Sequence, residues 1–207
     1  MNQPAKPLPK HLAIYSSGTG TNAARIIHYF RHHPTIKVSL IVCNKPGAGV
    51  LDIASKEGLP VLMIDKEVFF RGDAYVGKLR QQKIDFLVLA GFLWKIPSAL
   101  VQAYRGRIIN IHPALLPKYG GKGMYGRHVH EAVIGAGEKE SGITIHYVDE
   151  LYDHGQAIFQ ARVIVEPGDT PDMLAAKVRA LEHEHFPRVI EEVVEIAQIR
   201  AADSSRP

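Results

Sequence analysis

The chain has 207 residues, of which 46% are hydrophobic and 22% are charged, a balance that is typical of a globular domain and excludes a disordered chain. The single cysteine, Cys43, excludes an internal disulfide or a cysteine-based zinc fold and favours a reducing, cytoplasmic location. The apolar runs are too short to span a membrane, and the net charge of +4 suits an anionic partner without distinguishing a phosphorylated metabolite from nucleic acid.

Strand and helix patterns alternate through the first half of the chain. The predicted strands are His11–Tyr15, Ile36–Cys43, Val61–Ile64, Ile84–Ala90 and Ile108–Ile111. The predicted helices are Thr21–His33, with Ala24, Ile26, Ile27 and Phe30 facing inward, a second that ends near Glu57, and Ala74–Gln82. Strands separated by helices pair in parallel, so the pattern predicts an α/β fold with a doubly wound, mostly parallel sheet.

The second half of the chain predicts antiparallel strands and a long helix. Ser141–Val148 and Ala157–Val165 read as strands that pair across a short loop. Thr170 and Pro171 are typical of a helix start, and the helix is expected to reach about Ala197 with a bend near Pro187. We therefore expect a flexible extension at residues 1–10, a single domain over 11–200 and a frayed tail at 201–207.

A glycine-rich turn follows the first predicted strand. The run Gly18–Asn22 opens a helix, where free N–H groups and the helix dipole favour an anion. A dinucleotide site would have an acid after the second strand, but Asn44 and Lys45 stand there, and no G-K-[ST] sequence follows the glycines. The pattern favours a single phosphate, with an ordinary strand-to-helix turn as the alternative.

Two further motifs carry groups suited to acyl chemistry. Asn110 and His112 flank Ile111 at the end of the fifth strand, so their side chains point the same way, and Pro113 stops the strand. An amide can donate to a developing oxyanion, and an imidazole can move a proton near neutral pH. Asp153, followed by His154 and Gly155, could orient an imidazole. In isolation, the first motif also fits a capping Asn with a structural His, and the second fits an ordinary turn.

The remaining histidines do not predict a metal site. His128 with His130, and His183 with His185, are spaced so that they point apart on a helix, and we expect them to be solvated or capping residues. Lysines and arginines are scattered, which argues against nucleic acid as a partner. The sequence therefore predicts no metal, no nucleic acid and no membrane partner.

Taken together, these motifs resemble the phosphoribosylglycinamide formyltransferases, a folate-dependent family of purine synthesis. The resemblance covers about His11 to Val194 and rests on Gly18–Asn22, Leu89–Phe92, Asn110–Tyr119 and Asp153–Gly155. It implies a Rossmann-like fold, 10-formyltetrahydrofolate as the co-substrate and glycinamide ribonucleotide as the formyl acceptor. This chain departs from many members at Trp94 and Lys95 and in its glycine-rich segment 120–126.

The resemblance also implies roles for individual positions. The catalytic residues would be Asn110, His112 and Asp153. The ribonucleotide and its phosphate would contact Gly20, Thr21, Asn22 and Glu182. The folate would contact Leu93, Trp94, Lys95, Ile96, Ile108 and Val148.

Other functions stay open at this point. Related formyltransferases and a formyltetrahydrofolate hydrolase share the Asn110–Pro117 type of run but carry a further domain, for which we expect no room in this chain. A non-catalytic nucleotide-binding module would need only the glycine turn and would leave Asn110, His112 and Asp153 without a joint purpose. We expect a monomer or a homodimer that binds small molecules.

Overall fold

A computed structural model describes residues 8–71 and 73–203 of the chain. Within these residues one seven-stranded sheet has the order β3-β2-β1-β4-β5-β6-β7. Its strands are β1 (Lys10–Ser16), β2 (Ile36–Cys43), β3 (Val61–Met63), β4 (Phe86–Leu89), β5 (Ile108–His112), β6 (Glu140–Tyr147) and β7 (Ala157–Ile164). The first five strands pair in parallel, and β6 and β7 are antiparallel, as the sequence predicts.

Helices cover both faces of the sheet. They are α1 (Thr21–Phe30), α2 (Gly49–Lys56), α3 (Lys66–Phe70), α4 (Ala74–Gln81), α5 (Ser98–Ala103), α6 (Arg127–Gly135) and α7 (Pro171–Asp203). One core packs side chains of α1, α2 and α7 against the sheet, and the other packs those of α3, α4 and α5. Strands buried on both sides explain the nearly continuous apolar runs in the sequence.

Several predicted boundaries need correction. The first helix ends at Phe30 and buries Ala23 in place of Ala24, because a buried stripe formed by Ala23, Ile26, Ile27 and Phe30 faces the sheet. Three helices, α3, α5 and α6, were not predicted; two of them are only five and six residues long. Within the described residues, no helix has the length and apolarity needed to cross a membrane.

The ends of the chain differ in part from the prediction. Lys10, the last residue of the expected flexible extension, belongs to β1, and residues 1–7 lie outside the described residues. Thr170 accepts a hydrogen bond from the Met173 N–H, which confirms the predicted start of α7. That helix continues through Pro187 to Asp203, so it includes the first part of the predicted tail; residues 204–207 are not described.

The sheet order creates a switch point between β1 and β4. In an open α/β sheet, the loops that follow such neighbouring strands leave in opposite directions and form a crevice for ligands. Here the Ser17 N–H donates to the Gly91 carbonyl at 3.0 Å, and the Leu93 N–H donates to the Ser17 hydroxyl at 3.1 Å. The loops after β1 and β4 are therefore tied together at the edge where the sequence predicts the site.

Candidate active site

A cavity of about 630 Å³, called the main cavity below, lies at this edge of the sheet. Its wall includes Asn110, His112 and Asp153 together with Asn22 and Glu182. The structure thus brings the two predicted acyl-chemistry motifs to the same cavity as the first residues of α1 and an acid from α7. Local sequence cannot show this convergence, because Asn22 and Glu182 are 160 positions apart.

The amide of Asn110 is held by a residue that the sequence did not indicate. In the antiparallel pairing of β5 with β6, Asn110 lies opposite His146, which is 2% exposed. His146 donates from Nδ1 to the Tyr147 carbonyl at 2.8 Å, so its Nε2 is left to accept from Asn110 Nδ2 at 3.0 Å. The second N–H of the amide is directed toward Asp153 Oδ1 at 3.5 Å, a contact weak enough to be exchanged for a ligand.

His112 is buried and anchored through its Nε2 atom. This nitrogen donates to the Tyr119 carbonyl at 2.7 Å, and its Nδ1 lies 3.6 Å from Asp153 Oδ2. Burial lowers the pKa of His112 below its ordinary value, although the Asp153 carboxylate and the Tyr119 carbonyl act in the opposite direction. A neutral ring with its proton on Nε2 therefore presents Nδ1 as a base beside a carboxylate.

Asp153 is fixed by the loop that follows β5. Its Oδ2 accepts from the Gly121 N–H at 2.9 Å, and its backbone adopts the left-handed conformation with φ 51°. Burial alone would raise the pKa of the Asp153 carboxyl, but the neighbouring rings of His146 and His112 and the Gly121 N–H together hold it below its usual value. The carboxylate is therefore ionised and able to stabilise positive charge on His112.

One short segment supports both partners of this pair. Tyr119 supplies the carbonyl that holds His112, and Gly121, two residues later, supplies the N–H that holds Asp153. Tyr119 has φ 57°, which is uncommon for a residue with a side chain, and its hydroxyl donates to Glu138 at 2.9 Å. The glycine-rich residues that follow, 121–126, form part of the cavity wall.

Another part of the cavity wall is formed by Asn22 of α1 and by residues of α7, whereas the predicted ribonucleotide residues Gly20 and Thr21 are not among the residues that line it. Gly20 is the N-cap of α1 without a side-chain cap, so the first N–H groups of the helix are left for a ligand. Asn22 Nδ2 donates to Glu182 Oε2 at 2.9 Å, and the Asn22 Oδ1 is buried without a hydrogen-bond partner among the described residues. Burial raises the pKa of Glu182, although Asn22 and the Arg179 charge oppose the rise.

Gly20 has a packing role that the sequence did not reveal. Its φ is 76°, and a Cβ atom placed on it would lie 2.8 Å from the Cα of Val50 on α2. The absent side chain therefore allows the turn to contact α2 and would be required even without a ligand. By contrast, a Cβ on Gly18 would meet nothing within 4 Å.

The residues predicted to contact folate are divided among several places. Leu93 lines the main cavity, whereas Lys95 and Ile96 line a smaller neighbouring one. Trp94 packs against the rings of Phe69, Phe70 and Phe92. Ile108 is buried in the second core, and Val148 packs against that core. Their contact with folate stays a prediction.

Two observations concern the histidines. His130 is 5% exposed and lines the main cavity, so the expectation that it is solvated or capping is wrong.

His33, Glu191 and Glu195 form a group that could hold a metal ion, but His33 Nδ1 accepts the Ile36 N–H at 3.0 Å. Its Nε2 therefore carries the proton that it donates to Glu191 at 2.9 Å, and we assign no metal there.

Comparison with known proteins agrees with this geometry. Residues 10–190 match the formyl transferase family. The chloroplastic phosphoribosylglycinamide formyltransferase of Arabidopsis thaliana is 42% identical over 197 residues, covering 92% of this chain and 67% of the relative. A trifunctional purine biosynthetic protein of Drosophila melanogaster is 38% identical, over 87% of this chain and only 14% of that protein.

A solved structure extends the match to the fold. The phosphoribosylglycinamide formyltransferase of Bacillus halodurans is 38% identical and superimposes with a TM-score of 0.82, over 91% of this chain and 97% of that one. Its sheet and helices therefore provide an experimental counterpart for nearly the whole fold described above. The chain belongs to the formyl transferase family, among the phosphoribosylglycinamide formyltransferases.

Proposed function

We propose that the chain transfers the formyl group of 10-formyltetrahydrofolate to the amine of glycinamide ribonucleotide in purine biosynthesis. The observation that carries the proposal is the contact of Asn110, His112 and Asp153 in one cavity that also contains Asn22 and Glu182. A nucleotide-binding module would need only Asn22 and Glu182. Membership of the family and the names of its relatives support the reaction.

The mechanism is direct attack of the amine on the formyl carbon. As the C–N bond forms, the carbonyl π electrons move to oxygen, and the Asn110 N–H that is directed toward Asp153 exchanges this weak contact for a hydrogen bond to the oxyanion. His112 Nδ1 accepts a proton from the attacking amine, and the nearby Asp153 carboxylate stabilises the resulting imidazolium. The oxyanion then re-forms the C=O bond as the C–N10 bond breaks. The electron pair of that bond stays on N10 of the folate, which takes the proton from His112.

The reaction needs no covalent enzyme intermediate. An amine is already a good nucleophile and a formyl group is a reactive acyl group, so we assign no step to a metal. Cys43, the single cysteine of the chain, is buried in β2, where its Sγ donates to the Lys45 carbonyl. We therefore expect sequential kinetics, in which both substrates bind before either product leaves.

Binding is divided between the two parts of the cavity. We propose that the N–H groups of Thr21 and Asn22 at the start of α1 hold the phosphate. Glu182, which lines the cavity with Asn22, would accept a hydrogen bond from the ribonucleotide. The folate would lie along Leu93 and the wall formed after β4. The cytoplasmic location and the monomeric or dimeric state stay predictions.

A turnover assay tests the reaction. The chain is incubated with both substrates, and tetrahydrofolate and formylated ribonucleotide are measured separately. Equal amounts of the two products support transfer, whereas tetrahydrofolate that forms equally without the ribonucleotide would identify a hydrolase. Ping-pong kinetics would contradict direct transfer.

A further inference from the structure

The carbonyl that anchors His112 belongs to a residue whose own conformation is unfavourable. Tyr119 has φ 57°, which lies in the left-handed region that residues with a side chain seldom adopt. Such a conformation persists only where neighbouring contacts compensate its cost. The hydrogen bond from His112 Nε2 to the Tyr119 carbonyl, at 2.7 Å, therefore depends on the contacts that hold Tyr119 in place.

The side chain of Tyr119 is held by Glu138. The Tyr119 hydroxyl donates to Glu138 Oε1 at 2.9 Å, and Tyr119 packs against the core that α1, α2 and α7 form with the sheet. Lys118 Nζ donates to the same oxygen at 2.8 Å, but its side chain is 67% exposed, and an ion pair of this kind stabilises little. The contact that matters for the loop is therefore the one to the hydroxyl.

The protonation states of both partners suit this contact. Hydrogen bonds from Lys118 and Tyr119 hold the pKa of the Glu138 carboxyl below its ordinary value. Burial and the contact with Glu138 raise the pKa of the Tyr119 hydroxyl. At neutral pH the acid is thus ionised and the phenol keeps its proton, so the hydrogen bond between them is charge-assisted.

Glu138 is itself fixed by the end of α6. Gly137 has φ 67°, and its N–H donates to the Ile134 carbonyl at 3.0 Å. The Glu138 N–H donates to the Val133 carbonyl at 3.3 Å. This pair of hydrogen bonds is a common helix ending and fixes the residue that follows the glycine. Glu138 is therefore a rigid anchor that does not line the main cavity but is joined to the catalytic cluster through Tyr119.

The segment that begins at Tyr119 also reaches the second member of the catalytic pair. The Gly121 N–H donates to Asp153 Oδ2 at 2.9 Å. A Cβ atom placed on Gly120 would lie 3.3 Å from the Cβ of Asp153, so the backbone between the two anchors packs directly against this residue. A displacement of Tyr119 would therefore move the groups that hold both His112 and Asp153.

We infer that Glu138 is a positioning residue for the formyl transfer, which fixes Tyr119 through its hydroxyl and thereby holds His112 and Asp153 in their reacting geometry. This inference rests on the proposed function, because it takes His112 as the base of that reaction. Since Glu138 acts through Tyr119, its loss should slow the chemical step and leave the binding of both substrates unchanged. Glu140, two residues later, provides the contrast, because it pairs with Arg162 on β7.

The test compares variants of this contact with one control. Glu138→Ala removes the acceptor, Glu138→Gln keeps an oxygen that can accept from the hydroxyl, and Tyr119→Phe removes the hydroxyl but keeps the carbonyl. The control is Glu140→Ala, and the double variant combines Glu138→Ala with Tyr119→Phe. For each protein we measure kcat, the KM of both substrates, the melting temperature, and the pKa of His112 by NMR of the imidazole nitrogens. His112→Asn assigns the signals of that ring.

We expect Glu138→Ala and Tyr119→Phe each to lower kcat roughly tenfold, the usual effect of one hydrogen bond, with both KM values within about twofold of the wild type. The double variant should lose no more than either single variant, because both changes remove the same contact. Glu138→Gln should retain more activity than Glu138→Ala, and Glu140→Ala should behave as the wild type does.

The titration of His112 gives a readout that does not depend on turnover. The hydrogen bond to the Tyr119 carbonyl raises the pKa of His112, so a loosened carbonyl should lower that pKa in Glu138→Ala and in Tyr119→Phe. A merely structural role of Glu138 would lower the melting temperature and leave the pKa of His112 in the folded protein unchanged.

Several results would overturn the inference. They are an unchanged kcat or an unchanged pKa of His112 in Glu138→Ala, additive losses in the double variant, and equal losses in Glu138→Ala and Glu140→Ala. Failure of the proposed function is a separate result: the wild type would bind both substrates without transferring the formyl group, and the titration of His112 would still decide whether Glu138 fixes its anchor.

Discussion

Replacement of Gly20 by alanine should destabilise the protein through packing. The left-handed φ of 76° costs an alanine about 1–2 kcal/mol. Its Cβ would lie 2.8 Å from the backbone of Val50 and 2.9 Å from the side chain of Ile53. Overpacking of this kind costs roughly 1–3 kcal/mol, so we expect a total loss of about 2–5 kcal/mol in the free energy of unfolding.

The assay is thermal unfolding of Gly20→Ala beside Gly18→Ala. For a chain of this length, each kcal/mol lowers the melting temperature by roughly 2–4 °C, so Gly20→Ala should melt about 4–20 °C below the wild type. Gly18→Ala is the matched control, because its new methyl group meets nothing within 4 Å and should cost no more than about 0.5 kcal/mol. A Gly20→Ala protein that melts within a degree of the wild type would refute the packing argument, as would equal losses for the two variants.

The remaining predictions concern the catalytic cluster. Asn110→Ala should lower kcat by roughly 10²–10³ with little change in the Kd of the ribonucleotide, because the oxyanion exists only in the transition state; a normal kcat with a raised KM would contradict this. His146→Leu removes the acceptor that orients the Asn110 amide and should lower kcat more than KM, with His154→Ala, an exposed histidine of the same hairpin, as the control. Because the pKa of His112 is lower in the folded chain, the unfolded chain binds more protons as the pH falls below the ordinary value of 6.5, and the free energy of unfolding should decrease there. His112→Asn should reduce this slope in chemical unfolding at pH 5 to 7, and an unchanged slope would argue against a buried, neutral His112.

The order of strands and the catalytic motifs could be predicted from the sequence because each has a local pattern. The run of β4 is wholly apolar and buried, and Thr170 followed by Pro171 marks the start of α7. Helix α3 is too short to show a helical periodicity in the sequence. Its N-cap, Asp65, which accepts a hydrogen bond from the Val68 N–H, is the one local feature that could have indicated its start. Helix α5 is equally short, and α6 follows a glycine-rich segment that hides its start.

The parts of the site that could not be predicted depend on distant pairing or on the backbone. His146 contacts Asn110 because of the register between β5 and β6, and a shift of one residue would turn its side chain to the other face. The anchor of His112 is a carbonyl group, which every residue possesses, so the identity of Tyr119 gives no hint of it. Glu182 could be assigned only through the family resemblance, since it lies in the middle of a long helix.

The support of His112 and Asp153 by residues 119–121 has a consequence for the way this family can vary. Both anchors are backbone groups that precede most of the glycine-rich stretch, so we expect residues 122–126 to tolerate changes in length and composition without moving His112 or Asp153. Those same residues form one wall of the cavity. We therefore expect the entrance to the proposed active site to vary among family members more than its floor does.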